Sequence, residues 1–180
     1  MSEDRPDAEA EPPLRAERPE DAAASRDQPD HANARLHPPV LFVVCIASAA
    51  LLHIFFSFRL PLPEGLANSM GLILIALAVF LGGAAAGLFL RSGEGLPPST
   101  PTNQVFETGP YRFTRNPIYL AMAMILLGLF LMSRSAWLLA ATFIFTYLIQ
   151  NLVIRKEEAY LTRKFKDAYK DYQRRVRRWI

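Results

Sequence analysis

The sequence predicts an all-α, polytopic helical membrane protein: about four transmembrane helices followed by an amphipathic C-terminal helix. Three observations carry that prediction. The chain of 180 residues is 51% hydrophobic, and the apolar residues are concentrated after residue 37. They fall into four runs, at about 40–58, 66–90, 117–132 and 137–154, broken by proline, glycine and charge. In the last stretch, Leu161, Phe165, Tyr169, Tyr172, Val176 and Trp179 recur at spacings of 4, 4, 3, 4 and 3, with Arg163, Lys164, Lys166, Lys170 and Arg174 between them. That is the pattern of an amphipathic helix over 157–179, lying on a membrane or capping a bundle.

Residues 1–37 hold ten acids and five arginines with no apolar run, and read as a disordered, solvated tail. Its acids exclude a mitochondrial presequence, and the first apolar run starts too late for a signal peptide. Residues 38–180 then form one integral membrane domain. The first run contains Cys45, the only cysteine, so no disulfide framework or cysteine metal cluster is expected and packing is its role. His53 in the same run reads as a packed or interfacial side chain. A short connection with Pro61 and Pro63 leads to the second run, where the small residues 82–87 let a neighbouring backbone or a flat ligand approach. A polar loop over 91–116, with Pro97, Pro98 and Pro101, is long enough to suggest a function. The third run is only sixteen residues, short for a full crossing, and must tilt, thin the bilayer or re-enter. Residues 133–135 turn it into the fourth.

With four spans, the tail, the 91–116 loop and the C-terminus share one side and carry eighteen Lys and Arg, against Arg59 and Arg134 on the other. The positive-inside rule puts both termini in the cytoplasm, as in a bacterial inner membrane. The net charge of +3 conceals ten basic and four acidic residues over 155–180. Directly after membrane segments, such a stretch faces lipid headgroups rather than nucleic acid.

Residues 107–119 bring a rigid turn and two arginines to the start of the third span. Gly109-Pro110 is a turn dipeptide, Asn116 a candidate N-cap and Pro117 a first-turn residue. Arg112 and Arg115, beside a helix N-terminus, suit a carboxylate or phosphate ligand, and equally suit anchoring to headgroups. Glu157 and Glu158 leave the fourth span at the same membrane face. They read either as site carboxylates or as interfacial acids neutralised by Arg155, Lys156 or Lys164. Asn151 and Ile154 precede Glu158 by seven and four residues, and Leu161 follows by three, so Glu158 is expected to face the bundle and to matter more than Glu157. Gln150 and Asn151 could bond a ligand or another helix. No glycine-rich nucleotide-binding loop is present, so a Rossmann domain is not expected.

The run Gly-Pro-Tyr-Arg-Phe-Thr-Arg-Asn-Pro-Ile-Tyr, followed some forty residues later by Glu-Glu-Ala-Tyr-Leu-Thr-Arg-Lys-Phe-Lys and then Arg-Val-Arg-Arg-Trp-Ile, resembles the isoprenylcysteine carboxyl methyltransferase and phospholipid methyltransferase superfamily of integral membrane enzymes. The resemblance covers roughly residues 70–180. It implies S-adenosylmethionine as cofactor and methyl transfer to a lipophilic or lipid-linked acceptor at the cytoplasmic face, as in isoprenylcysteine carboxyl methyltransferases. Phospholipid amine methylation is the alternative chemistry, and a non-catalytic lipid-binding or assembly module the alternative class. Arg115-Asn116-Pro117 matches the family's Arg-His/Asn-Pro element, Tyr119 the aromatic after it, Glu157 and Glu158 the paired acids, and Arg178 the arginine before the terminal aromatic. Arg112 and Arg115 are thereby the candidate catalytic cations. Tyr111, Asn116, Pro117, Tyr119, Asn151, Glu157 and Glu158 are candidate cofactor contacts, and Gly83 falls where some relatives place a glycine contact. The chain departs from the family pattern at Lys166, where glycine often follows the phenylalanine, at Arg177, where proline precedes the arginine, and at Ala121, where glycine is frequent.

Overall fold

A computed structural model describes residues 37–92 and 105–180; the expected tail and the first part of the polar loop lie outside them. The described chain is helical: α1 Pro38–Phe55, α2 Glu64–Ser92, a 3-10 turn Gly109–Arg112, α3 Pro117–Ser133, α4 Ala136–Ile149, a π-helical turn Gln150–Ile154 and α5 Arg155–Arg175. Three helices are long and apolar enough to cross a membrane: α1, α2 and the continuous run from Ala136 to Arg175. The apolar character of α1 and α2 goes all round: Val40, Val43, Val44, Ile54 and Phe55 on α1, and Leu72, Ile73, Val79 and Phe80 on α2, are more than half exposed. A surface of that kind has hydrocarbon as its solvent.

At 17 residues, α3 is about 25 Å long. Pro117 opens it at one end, and Arg134 closes it at the other in the left-handed region, φ 59°. The expected hairpin into α4 follows at Ser135. There Arg59 and Ser135 form an isolated antiparallel bridge, Leu60 N–H donates to the Arg134 carbonyl at 2.8 Å, Ala136 N–H to Phe58 at 3.0 Å, and the Trp137 indole to Phe56 at 2.6 Å. Arg59 and Arg134 therefore share one end of the bundle, as the four-segment topology requires.

The core lies between α1, α3 and α4. Leu41, Cys45 and Ala49 meet Leu126, Phe145, Ile149, Val153 and Ile154, with Phe42 edge-on to Phe145 at 5.8 Å between ring centres. Cys45 packs there as its run predicts. The close approach of α2 and α3 comes at residues the sequence did not single out. A Cβ on Gly71 would stand 2.7 Å from the Gly128 carbonyl oxygen, and one on Gly128 would stand 2.9 Å from that of Gly71. The 82–87 run is looser: Gly82 would meet the Ala121 methyl at 3.2 Å, while Gly83 and Gly87 face open space. Ala121 is thus accommodated by the glycine opposite it.

The expected helix over 157–179 differs in three ways. It is continuous with α4 through the π turn, it breaks at Lys166 (φ 47°, ψ −119°), and it ends at Arg175, with Val176 extended. The break falls at one departure from the family pattern, where the backbone conformation favours glycine and the chain carries lysine. The helix stops because the carbonyls of Arg177 and Arg178 are engaged by residues 114–116 instead. The apolar stripe survives the break: Tyr169, Tyr172 and Val176 are buried, against Val105, Leu161 and Phe165.

Candidate functional site

At the end of the bundle away from Arg59 and Arg134, the start of α3, the α4–α5 junction and residues 176–180 converge. Asn116 stands at the N-cap position of α3, but its side chain caps nothing. Its amide instead donates to the Arg178 carbonyl at 2.9 Å, and the Thr114 hydroxyl donates to the same oxygen at 3.1 Å. The Asn116 N–H is satisfied by Thr114 Oγ1 at 3.2 Å, and the Arg115 N–H by the Arg177 carbonyl at 3.0 Å. Three consecutive residues thereby clip residues 176–180 against α3. Trp179 fastens the far side, its indole donating to Gln150 Oε1 at 2.8 Å.

The clip holds Arg178 over Glu158. Arg178 makes a fork, Nε to Oε1 at 3.0 Å and Nη2 to Oε2 at 2.5 Å, and Arg115 Nη1 reaches Oε1 at 3.1 Å. Glu158 is 7% exposed and faces the bundle as its spacing predicts. One buried carboxylate between two guanidiniums leaves the cluster with a net positive charge, and Arg115 Nε is buried without a partner among the described residues. Such an orphaned donor is costly unless a ligand meets it.

Glu157 is not turned away, contrary to the expectation that only one of two adjacent acids meets the site. It accepts from the Tyr119 hydroxyl at 2.8 Å. It lies beyond the last apolar residue of the span, where burial pushes its carboxyl up to about 7; the Tyr119 hydrogen bond pulls against that shift and the charge of Glu158 adds to it. Tyr111 is buried beside them. Its carbonyl accepts from the Tyr172 hydroxyl at 2.8 Å, and its ring lies 6.1 Å from Phe89 and 6.0 Å from Phe106, sealing the 3-10 turn against α2. Gly109, with φ +58°, begins that turn in a conformation open to glycine.

Three candidates fall outside this constellation. Arg112 is exposed at the end of the 3-10 turn, and Gly83 is exposed on α2. Asn151 donates to the carbonyl of Tyr147, one turn earlier in its own helix, at 2.7 Å. Heptad spacing puts Asn151 on the face of Glu158 in a regular helix, but the π turn Gln150–Ile154 inserts extra backbone and rotates the register. Ile154, beyond most of that turn, is buried as expected. Gln150, expected to bond a ligand or another helix, accepts from Trp179 of the C-terminal segment. The contacts of Thr114 and the place of Trp179 in the clip were not assigned from the sequence, and a tryptophan after two arginines was the available signal.

A family model described as phospholipid methyltransferase matches residues 66–168, more than half of the chain. An uncharacterised protein of Haemophilus influenzae is 42% identical over 65 residues, which are 35% of this chain and the whole of that protein. No solved structure matches. The chain belongs to the phospholipid methyltransferase family.

Proposed function

We propose that this family member transfers a methyl group from S-adenosylmethionine to a lipophilic or lipid-linked acceptor at the end of the bundle where its two motifs meet. One observation carries the reading: the Arg-Asn-Pro element and the paired acids, forty residues apart in sequence, are joined through Arg115 to Glu158 at 3.1 Å and Tyr119 to Glu157 at 2.8 Å. The donor set suits the cofactor, which has a carboxylate, an ammonium and ribose hydroxyls. Arg115 offers its buried, unpartnered Nε to an anionic group, and the acids with Tyr119 offer acceptors to cationic or hydroxyl groups.

When bound, the cofactor supplies an electrophilic methyl on a sulfonium that leaves as a neutral thioether. The chain therefore needs no general acid for the leaving group, and its task is alignment and exclusion of water. Phe89, Phe106 and Tyr111 close one flank with apolar rings. The clip of Thr114, Arg115 and Asn116 on residues 176–180 closes another and fixes the guanidiniums. The exposed apolar faces of α1 and α2 would let an acceptor's hydrocarbon remain in the bilayer while its head group meets the site. The positive-inside count supports a cytoplasmic site.

The test is label transfer in nanodiscs, with methyl-labelled cofactor and separate pools of aminophospholipid and prenylcysteine analogue. Label in the phospholipid alone assigns amine methylation, to which the matched family model points. Label in the prenylcysteine alone assigns carboxyl methylation, which the motif resemblance admits alongside amine methylation. Label in neither pool, with no cofactor binding by calorimetry, removes the enzyme reading in favour of a lipid-binding module.

A further inference from the structure

We infer that the two adjacent acids have separate tasks: Glu158 is a positioning residue locked between Arg115 and the clipped Arg178, and Glu157 is the carboxylate that meets the bound cofactor. This rests on the methyltransferase reading. A carboxylate has about four lone-pair sites. Glu158 spends three on guanidinium donors, with 10% of its side chain exposed. A ligand ammonium would have to displace one arm of a two-toothed arginine fork, and that arginine is itself held by the Thr114 and Asn116 bonds to its own carbonyl. Glu157 has one oxygen on Tyr119, and its second oxygen has no hydrogen bond among the described residues.

The same geometry gives residues 176–180 a purpose. They form a strap whose backbone lies on the start of α3 and whose Arg178 side chain holds Glu158 in place through a two-toothed fork. Glu158 in turn holds the Arg115 guanidinium, so that the unpartnered Nε of Arg115 stays available. The groups that act electrostatically on Glu157 or its hydrogen-bond partner are Tyr119 of α3, Tyr111 of the 3-10 turn, and Glu158 and Tyr169 of α5. The charge of Glu158 raises the pH at which Glu157 ionises.

Four variants test the division: Glu157→Gln, Glu158→Gln, Arg178→Gln and the Glu158→Gln/Arg178→Gln pair. Each is assayed for melting temperature without cofactor and for S-adenosylmethionine affinity across pH 5–9 by calorimetry. Glu157→Gln is expected to melt within a few degrees of the parent and to lose roughly tenfold or more in affinity, the scale of a charge-assisted hydrogen bond. It should also flatten the rise of affinity with pH. Glu158→Gln and Arg178→Gln should each lower the melting temperature, and the pair should fall less than the sum of the singles. Glu158→Gln should also move the midpoint of the affinity–pH curve to lower pH, which a merely structural residue would not do. Additive losses at Glu158 and Arg178 would overturn the positioning role. Unchanged affinity in Glu157→Gln, or a large affinity loss in Glu158→Gln with an unmoved melting temperature, would overturn the division of tasks. A parent protein that binds no cofactor overturns the methyltransferase reading and the role of Glu157 with it, whereas the Glu158–Arg178 coupling is still decided by melting alone.

Discussion

The two ends of the bundle are tied by the same device and differ in what they bury. At each end, chain segments far apart in sequence are joined by backbone and side-chain donors to backbone carbonyls: residues 56–60 to 134–137 at one, residues 114–116 to 177–178 at the other. At each end an arginine pairs with a glutamate. At the first end Glu64 is 68% exposed, so its pairing with Arg134 at 3.1 Å is screened. At the second, Glu158 is 10% exposed beneath two arginines. Burying Glu158 and Arg115 costs several kcal/mol per ion in desolvation, and well-packed apolar residues would hold the two segments as firmly. On the proposed function, the end that keeps its charges under those terms is the one organised around a ligand, and the other end is organised around closure.

The largest effect expected from this contrast is at Glu158. Glu158→Ala leaves two guanidiniums near each other without their carboxylate and should destabilise by about 3–5 kcal/mol. Glu64→Ala, at the exposed pair, should cost about 0–1 kcal/mol. Chemical or thermal unfolding in a defined micelle measures both, and equal losses would erase the distinction between the ends.

Next in size is the seam between α2 and α3, which is tight toward the closed end and loose toward the site. Gly71→Ala would force a methyl to 2.6 Å from Met132 Cγ and 2.7 Å from the Gly128 carbonyl, where the backbone cannot move aside without parting the helices. A loss of about 1–3 kcal/mol is expected. Gly83→Ala and Gly87→Ala add a methyl to open space and should be neutral or slightly stabilising, since alanine is the better helix former. If Gly83→Ala instead abolished cofactor binding while leaving stability intact, the glycine contact implied by the family resemblance would be restored at a position outside the Arg115–Glu158 cluster.

How much of this could be read in advance follows from which interactions are local. The four apolar segments were legible because length and composition alone decide them: α3 runs Pro117–Ser133 against an expected 117–132. Its opening at Pro117 was legible from the fixed φ of proline. The inward stripe of α5 was legible from spacing, since Ile154, Glu158, Tyr169, Tyr172 and Val176 are all buried. The clip was not. Asn116 looked like an N-cap because the side chain usually finds its partner within its own helix, whereas here it finds the carbonyl of residue 178, a contact that no local pattern encodes. Asn151 was misplaced because periodicity assumes a regular helix, and a single π turn is invisible to it. Gly71 and Gly128 were passed over for the denser 82–87 run, although close packing needs one small residue on each helix rather than several on one.

The smallest effect concerns the backbone, where the two ends again offer a matched pair. Among the described residues each has one non-glycine residue at positive φ: Arg134 at the closed end and Lys166 within α5 at the site end. Arg134 has φ 59° and ψ 17°, inside the left-handed basin, and it terminates a helix where such a residue is ordinary. Its guanidinium also reaches Glu64, so Arg134→Gly would exchange a small steric relief for a lost pair and should change stability by less than about 1 kcal/mol. Lys166 has φ 47° and ψ −119°, outside that basin, and its side chain is exposed. The strain there is on the order of 1–3 kcal/mol, and glycine would remove most of it while adding entropy to the unfolded chain. Lys166→Gly should therefore stabilise the protein by about 1 kcal/mol, and the family's preference for glycine at this place would have a backbone cause rather than a catalytic one. Should Lys166→Gly lower the melting temperature as Arg134→Gly can, the lysine must be making up its strain through an interaction with the lipid surface. Repeating the melt in neutral and in anionic lipid would then show the loss only in the anionic bilayer.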